Sequence, residues 1–169
     1  VRSALCAMAV ARYLGVPAGD VVRAISAYKA PAMRQQMVEA NGLLIIDDSY
    51  NASPDSMRSA IDVLSTRPVT GKRAAVLADM LELGDFSQQG HYQVGQYAKE
   101  RGVELLVAVG PLSREIAAGY GEGARWFATN QEAAAFLRDA LRPGDAVLVK
   151  GSRGMKTDEI VAALSAVSP

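Results

Sequence analysis

The stretch LLIIDDSYNASP, residues 43–54, decides the fold class of this chain. It opens with an uninterrupted apolar run, passes through two aspartates and a polar loop, and ends at Ser53-Pro54. Ser53 is a candidate N-cap, and Pro54 suits the first position of a helix. A short apolar run that leads directly into a helix start is typical of a buried strand in an α/β fold.

The same pattern of strand and helix recurs along the chain. Helical patterns follow RAAVLA (73–78), ELLVAVG (104–110), ARWFA (124–128) and AVLVK (146–150). Continuous apolar strands that alternate with helices indicate a mostly parallel sheet with helices on both faces. Asn41-Gly42, between apolar stretches on either side, predicts an antiparallel hairpin of residues 36–39 and 43–47 at the start of this region.

Residues 1–30 have a different character, with two helical patterns and no strand. Residues 1–14 are apolar almost all round, which predicts a helix buried on most sides. The only cysteine, Cys6, lies in this run, so we expect it to be buried and inert. A second helix begins at Pro17 and ends before Pro31.

Composition excludes several classes of protein. With 169 residues, 50% hydrophobic and 21% charged, the chain is neither disordered, collagen-like nor a small disulfide-rich protein. Eighteen basic residues balance eighteen acidic ones, which argues against a global attraction to nucleic acid or anionic membranes. No run approaches the about 20 apolar residues of a membrane span. The single cysteine favours a cytoplasmic location, and the absence of an initiator methionine suggests a piece of a longer protein.

Three predicted strand-to-helix loops are polar, namely residues 47–54, 79–84 and 150–154. Ligands of open parallel sheets bind outside the carboxyl ends of the strands, so we expect these loops to lie along one edge and to form a site. Asp48 is a candidate ligand for a ribose hydroxyl or a magnesium-bound water. The alternative is that an aspartate here only caps a turn, and this alternative is stronger for Asp47.

The other two loops carry charges of both signs. Lys150 and Arg153 flank Gly151-Ser152 at a helix start, which favours an anion site over a solvated basic turn. In the remaining loop, the apolar residues are expected to pack. For Asp79 or Glu82, contact with a ligand and no such contact are equally favoured.

Residues outside these loops have weaker signals. His91 is the only histidine and has no second metal ligand at a suitable spacing, so a hydrogen bond on the helix surface or behind the site is favoured over a metal role. Trp126 is expected to pack in the core or at its edge. The chain also has neither a G-x-x-x-x-G-K-[ST] loop nor a G-x-G-x-x-G motif after a strand, so it reads as half of a nucleotide site.

Four segments together resemble one known family. IIDDSYNASPDSM (45–57), VLADMLELG (76–84), the spacing from Ser87 through His91 to Gly95, and VLVKGSRGMKTDEIV (147–161) are similar, in this order, to motifs of the Mur ligases of bacterial cell-wall synthesis. The resemblance spans nearly the whole chain. It is most specific to the branch that adds D-alanyl-D-alanine to UDP-N-acetylmuramoyl-tripeptide.

The resemblance implies a three-domain, ATP-dependent enzyme. Residues 1–30 would be the last helices of the central ATPase domain, and residues 31–169 the mobile, Rossmann-like C-terminal domain. ATP would phosphorylate a carboxylate, and the amine of the dipeptide would attack the acyl phosphate to leave an amide, phosphate and ADP. The phosphate loop and most Mg²⁺ ligands would lie outside this chain, which is therefore expected to be inactive alone and to hold no complete catalytic set or metal site.

The resemblance also assigns ATP-binding residues. Arg34 matches the arginine that reaches ATP, Asp48 matches the aspartate that contacts the ribose, and Tyr50 and Asn51 lie on the same loop. We assign the remaining loops to the dipeptide from their charges, because its carboxylate requires Lys or Arg and its ammonium Asp or Glu. These residues are Asp79, Glu82, Lys150, Ser152 and Arg153.

The chain departs from the family pattern at three positions: Ser3 and Ser53 stand where asparagine is usual, and Ala78 where glycine is common. The main alternative is a receiver-like signalling domain, with Asp79 as phospho-acceptor beside an acidic pair and a lysine. A partner-binding module is a third possibility, and a large exposed apolar patch would favour it.

Overall fold

A computed structural model of the chain describes residues 2–28 and 31–166. The chain divides into two compact units, Val1–Pro31 and Ala32–Pro169. In the first unit, the helices are α1 (Arg2–Tyr13) and α2 (Ala18–Ser26). No helix among the described residues combines the length and apolar character needed to cross a bilayer.

The first unit confirms two predicted helices but corrects their expected burial. Leu5 and Val10 of α1 are both 58% exposed, and Cys6 is exposed rather than buried. The sequence pattern predicted an enclosed helix because apolar residues surround its axis. Among the described residues of this unit, α2 is the only other helix, and one neighbour covers only one face of α1.

The second unit contains six strands and five helices. The strands are β1 (Gln36–Ala40), β2 (Leu43–Asp48), β3 (Arg73–Ala78), β4 (Leu105–Val109), β5 (Arg125–Phe127) and β6 (Ala146–Lys150). The helices are α3 (Pro54–Ser65), α4 (Ser87–Glu100), α5 (Arg114–Tyr120), α6 (Asn130–Ala140) and α7 (Asp158–Ser165). The predicted order of strands and helices is thus confirmed, although β5 is shorter than its apolar run.

The strands form one sheet in the order β1-β2-β6-β3-β4-β5. Only β1 is antiparallel, and it pairs with β2 across the predicted hairpin. Asn41 and Gly42 both have positive φ, at 53° and 75°, as a tight two-residue hairpin turn requires. The last strand, β6, is inserted between β2 and β3, so three polar loops begin next to one another.

Helices cover both faces of the sheet, as the continuous apolar strands predicted. Alternate strand residues point to opposite faces and form two separate cores. On one face α3, α4 and α5 contribute buried Ile61, Val94 and Ile116. On the other face α6 and α7 contribute Leu137 and Ile160. The two cores hold the loops at the strand ends between rigid layers.

Local caps agree with the sequence at both predicted helix starts. Ser53 caps α3, since its side chain accepts a hydrogen bond from the Ser56 backbone N–H while the Ser56 hydroxyl accepts one from the Ser53 backbone N–H. Thr129 and Glu132 form the same reciprocal arrangement at α6. Each cap satisfies backbone N–H groups that the helix leaves unpaired. The start of α3 therefore defines where the first polar loop ends.

A close helix crossing between α4 and α5 gives a test of the packing. A Cβ on Gly95 would lie within 2.0 Å of the Ile116 carbonyl oxygen, which is backbone and has no room to withdraw. We expect Gly95→Ala to lower the free energy of unfolding by about 2–3 kcal/mol, despite the better helix propensity of alanine. Urea unfolding followed by the fluorescence of Trp126, the only tryptophan, measures the change.

Gly90 of the same helix provides the matched control. A Cβ at Gly90 would meet only side-chain atoms of Leu83 and Phe86, at 3.1 Å or more, and these can yield. We expect Gly90→Ala to change the free energy of unfolding by less than about 1 kcal/mol. Equal losses in the two variants would contradict the packing argument.

Candidate functional site

The three polar loops begin at the same edge of the sheet. In the parallel register, Asp48 at the end of β2 lies opposite Lys150 at the end of β6, and Lys150 lies opposite Leu77 near the end of β3. The carboxyl ends of these three strands are therefore level. The prediction that the loops starting at residues 47, 79 and 150 share one edge is confirmed.

A buried ion pair joins two of these loops. The Lys150 Nζ donates to Asp48 Oδ2 at 2.6 Å and to the Asn51 carbonyl oxygen at 2.8 Å. Asp48 Oδ1 accepts a hydrogen bond from the Gln35 backbone N–H at 3.0 Å. Asp48 was assigned to ATP and Lys150 to the dipeptide, but in the folded chain their side chains bind each other.

Arg34 and Tyr50 form an exposed pair beside this ion pair. The guanidinium carbon of Arg34 lies 4.1 Å from the centre of the Tyr50 ring, and the ring is 43% exposed. This distance is within the range of a cation–π contact. The Tyr50 backbone N–H also donates to the Met33 carbonyl oxygen at 3.1 Å. Arg34 precedes the other three residues in the sequence, but these contacts bring it into one cluster with Asp48, Tyr50 and Asn51.

Asp47 has the turn-capping role that the sequence left open. Its Oδ1 accepts hydrogen bonds from the Ser49 backbone N–H at 3.1 Å and from the Ser49 hydroxyl at 2.5 Å. Both groups are buried. A carboxylate bonded to the residue two positions on stabilises a turn, so Asp47 shapes the loop on which Tyr50 and Asn51 lie.

The loop after β3 is tied to the loop after β6. The Ser152 backbone N–H donates to the Asp79 carbonyl oxygen, and the Leu81 backbone N–H donates to the Ser152 hydroxyl, both at 3.0 Å. The Asp79 carboxylate is only 1% exposed and accepts a bond from the Ser113 backbone N–H at 2.7 Å. Asp79 and Ser152 therefore hold three loops together.

The remaining two predicted residues are exposed. Glu82 lies on the surface of the loop after β3, and the Arg153 side chain is 59% exposed and 3.7 Å from Asp158. Of the five residues assigned to the dipeptide, these two offer their charges to solvent. Asp79, Lys150 and Ser152 are buried and already bonded within the protein.

His91, on α4, stabilises the loop after β3 through a hydrogen bond. It is fully buried on α4, and its Nε2 accepts a hydrogen bond from the Met80 backbone N–H at 2.9 Å. Because Nε2 is an acceptor, the proton of the neutral ring lies on Nδ1, which donates to the Ser87 carbonyl oxygen at 2.7 Å. Of the two non-metal roles that the sequence left open for His91, the surface position is wrong and the hydrogen bond behind the site is correct.

Trp126 packs at the edge of one core, as predicted. Its ring Nε1 donates to the Gly110 carbonyl oxygen at 2.8 Å, and the Arg114 guanidinium lies 3.8 Å from the ring centre. These contacts secure the turn after β4, next to Ser113. Trp126 is thus a structural neighbour of the loop network and no part of the exposed cluster.

The cluster of Arg34, Asp48, Tyr50 and Asn51 offers groups that suit a nucleotide. Tyr50 offers an aromatic face, Arg34 a positive charge, and Asp48 an acceptor whose oxygens each retain a second lone pair. Within residues 2–28 and 31–166, no three His, Cys, Asp or Glu side chains are grouped so as to hold a metal ion.

Comparison with known proteins identifies the family. The family model for the Mur ligase, glutamate ligase domain matches residues 33–153. The chain belongs to the Mur ligase family. The match covers two of the polar loops of this Mur ligase chain and all but Gly154 of the third, and the resemblance drawn from the sequence motifs is confirmed.

Individual relatives agree with this assignment. The UDP-N-acetylmuramoyl-tripeptide–D-alanyl-D-alanine ligase of Bacillus subtilis (strain 168) is 33% identical over 95% of this chain and 36% of its own length. The ligase of the same name from Escherichia coli (strain K12) is 34% identical over 97% of this chain and 36% of its own. The Mur ligase chain thus spans about a third of the length of the curated relatives that it matches.

Solved structures match the whole architecture. MurF from Acinetobacter baumannii has a TM-score of 0.87 and 31% identity, over 96% of this chain and 36% of that one. MurF ligase from Thermotoga maritima, crystallised in complex with ADP, has a TM-score of 0.79 and 27% identity, over 94% and 36%. These likenesses confirm the predicted α/β class and do not favour a receiver-like domain. Asp79, its required phospho-acceptor, is also enclosed.

Sequence reasoning anticipated a hydrogen bond of His91 behind the site but missed two backbone groups that hold the loops of this Mur ligase domain. The Gln35 backbone N–H, the Ser113 backbone N–H and His91 all act through contacts with residues at least 11 positions away. For His91, the family-like spacing from Ser87 to Gly95 was the available signal. For the two backbone groups there was none, because any residue supplies an N–H.

Burial raises the pKa of Asp79 above its ordinary value, although hydrogen bonds from the backbone N–H groups of Leu112 and Ser113 oppose the shift. For an acid with a raised pKa, the free energy of unfolding falls as pH rises from the unfolded-state pKa to the folded-state pKa, and the loss is complete above it. Asp79→Asn keeps an acceptor oxygen and removes the charge. We therefore expect its stability relative to wild type to increase across that window and then to stay constant.

Urea unfolding between about pH 4 and pH 7 measures this difference, since unperturbed aspartate titrates near the lower limit. Asp85→Asn, at an exposed aspartate, is the control for the loss of one negative charge. A difference between Asp79→Asn and wild type that is the same at every pH would contradict the assigned cause.

Replacement of His91 tests its role in the loop. His91→Leu leaves the Met80 N–H without its side-chain acceptor, whereas His91→Gln retains one. We expect the leucine variant to lose about 1–3 kcal/mol of unfolding free energy and the glutamine variant clearly less. Faster hydrogen exchange at the Met80 amide should accompany the leucine change alone, and identical behaviour of the two variants would refute the role.

Proposed function

We propose that this chain is the C-terminal part of an ATP-dependent ligase that adds D-alanyl-D-alanine to UDP-N-acetylmuramoyl-tripeptide in peptidoglycan synthesis. Residues 1–30 would be the last helices of the central ATPase domain, and residues 31–169 the C-terminal domain. The names of the relatives support this reaction. The observation that carries the proposal is the cluster of three family-like loops at one sheet edge.

One half of this edge would hold the nucleotide through Arg34, Asp48, Tyr50 and Asn51. ATP supplies the phosphoryl group that turns a carboxylate, a poor electrophile, into one that an amine can attack. The chain's own contribution is positional: Tyr50 offers a stacking face, Arg34 a positive charge for anionic oxygens, and Asp48 an acceptor for a hydroxyl. Mg²⁺ would be held mainly by residues outside this chain.

The other half would receive the dipeptide at the loops of residues 79–84 and 150–154. The exposed carboxylate of Glu82 suits an ammonium group, and the exposed guanidinium of Arg153 suits a carboxylate. Asp79, Lys150 and Ser152 belong to the same predicted set. The single cysteine supports a cytoplasmic location for the complete ligase.

The complete ligase that contains this chain provides the direct test. We expect phosphate release to require ATP, Mg²⁺, UDP-N-acetylmuramoyl-tripeptide and D-alanyl-D-alanine together. The 169-residue chain alone should release none, because its sequence has no phosphate-binding loop. Phosphate release that proceeds equally well with D-glutamate in place of the dipeptide would show that the proposed reaction is wrong.

In the same assay, Arg34→Ala should raise the KM for ATP about 10-fold or more, because a charge-assisted contact contributes about 1.5–3 kcal/mol. The KM for the dipeptide should be nearly unchanged. Arg125→Ala, at an exposed arginine on β5, controls for the loss of one positive charge. If Arg34→Ala and Arg125→Ala have the same KM for ATP, Arg34 does not bind the nucleotide.

A further inference from the structure

Lys150 occupies a central and enclosed position. It ends β6, the strand between β2 and β3, and its side chain is only 3% exposed. Two of the three hydrogens on its ammonium group are used by Asp48 Oδ2 and by the Asn51 carbonyl oxygen. A charge removed from water in this way requires partners, and both partners belong to the loop assigned to the nucleotide.

Through these partners, Lys150 is connected to every residue of the nucleotide cluster. Asp48, held by Lys150, accepts the hydrogen bond from the Gln35 backbone N–H, and Gln35 follows Arg34 directly. Asn51, also held by Lys150, follows Tyr50, whose ring lies under the Arg34 guanidinium. The ammonium group is thus linked to the neighbour of Arg34 through Asp48, and to the neighbour of Tyr50 by a direct hydrogen bond.

The backbone around Arg34 needs such support. Met33 and Gln35 have φ values of 63° and 50°, in the left-handed region that residues other than glycine rarely adopt. Three hydrogen bonds hold this segment: the Tyr50 N–H donates to the Met33 carbonyl, the Gln35 N–H donates to Asp48, and the Arg153 guanidinium donates to the Met33 sulfur at 3.2 Å. If Asp48 rotated away, the strained backbone of residues 33–35 would lose one of them.

A direct contact between Lys150 and the dipeptide fits the geometry poorly. The carboxylate of the dipeptide would have to approach an enclosed ammonium that is 2.6 Å from another carboxylate, and two like charges would then share one cation. Arg153, three residues on, is 59% exposed and offers a fork of donors instead.

We propose that Lys150 is a positioning residue for the nucleotide half of the site, which acts through Asp48 and Asn51 and does not bind the dipeptide. This inference rests on the proposed function and replaces the assignment of Lys150 that its charge suggested. The ligand class it serves is a nucleoside triphosphate, reached indirectly through Arg34, Tyr50 and Asp48. Its loss should affect the nucleotide even though its own atoms do not touch it.

The test compares two KM values in the complete ligase. Lys150→Met removes the charge and keeps the length of the side chain. We expect the KM for ATP to rise at least about 10-fold and the KM for D-alanyl-D-alanine to change less than about 2-fold, with partial recovery of the KM for ATP in Lys150→Arg. Arg153→Met, which should raise the KM for the dipeptide, shows that the assay detects damage to that half.

Loss of Lys150 leaves the buried charge of Asp48 without a counter-ion and lowers the stability of Lys150→Met, so a second comparison removes this cost. Asp48→Asn is combined with Lys150→Met, so that no unpaired buried charge remains. Adding Lys150→Met to Asp48→Asn should change the KM for ATP less than Lys150→Met does in the wild-type background. It should leave the KM for the dipeptide unchanged.

The outcomes separate this inference from the proposed function. If phosphate release by the wild-type ligase does not depend on D-alanyl-D-alanine, the proposed function is wrong. In an active wild-type ligase, an increase of at least about 2-fold in the KM for the dipeptide that equals or exceeds the increase for ATP, in Lys150→Met or in the double variant against Asp48→Asn, would overturn the role of Lys150. An unchanged KM for ATP in Lys150→Met would also overturn it. A larger increase for ATP than for the dipeptide in Lys150→Met, with a smaller further increase for ATP in the double variant, would support it.

Discussion

The parallel pairing of β2, β6 and β3 is the constraint on which the rest of the site depends. In this register Asp48, Lys150 and Leu77 are level, so the three loops that follow leave the sheet side by side. Their spacing is set by backbone hydrogen bonds, about 4.8 Å from strand to strand. Side chains on neighbouring strand ends can then bind each other directly, as Asp48 and Lys150 do.

Insertion of β6 between β2 and β3 requires the last strand to meet residues about 100 positions earlier in the chain. A buried cation at the end of β6 matches a carboxylate at the end of β2, while the next residues of the β6 loop bind the backbone after β3. The polar contacts thus cross-link three loops that the sheet has already brought together. Ser152, Asp79 and His91 contribute to that cross-linking, while Glu82 and Arg153 remain exposed on the surface.

The buried polar groups of this edge follow a common physical rule. Most that leave water are paired: Lys150 with Asp48, Asp79 with the Ser113 N–H, and His91 with Met80 and Ser87. The buried Thr157 hydroxyl is an exception, since it has no partner among the described residues. An unpaired polar group here would be costly, so the partners restrict each loop to one conformation. Exposed residues such as Arg34 and Tyr50 then project from a rigid base, which is what a binding site requires.

The amino-acid sequence by itself determined the α/β class, the hairpin at Asn41-Gly42, the caps at Ser53 and Thr129, and which three loops are polar. These features depend on neighbouring residues, because apolar runs, turns and caps are local in origin. Only the tertiary structure decided that Lys150 binds Asp48, that Asp79 is enclosed, that His91 is buried and that α1 is exposed. Charge alone could not divide the loop residues between two ligands. Whether a charged side chain binds a ligand or a protein partner depends on distance and burial. Both arise only when strands distant in sequence become neighbours in the sheet.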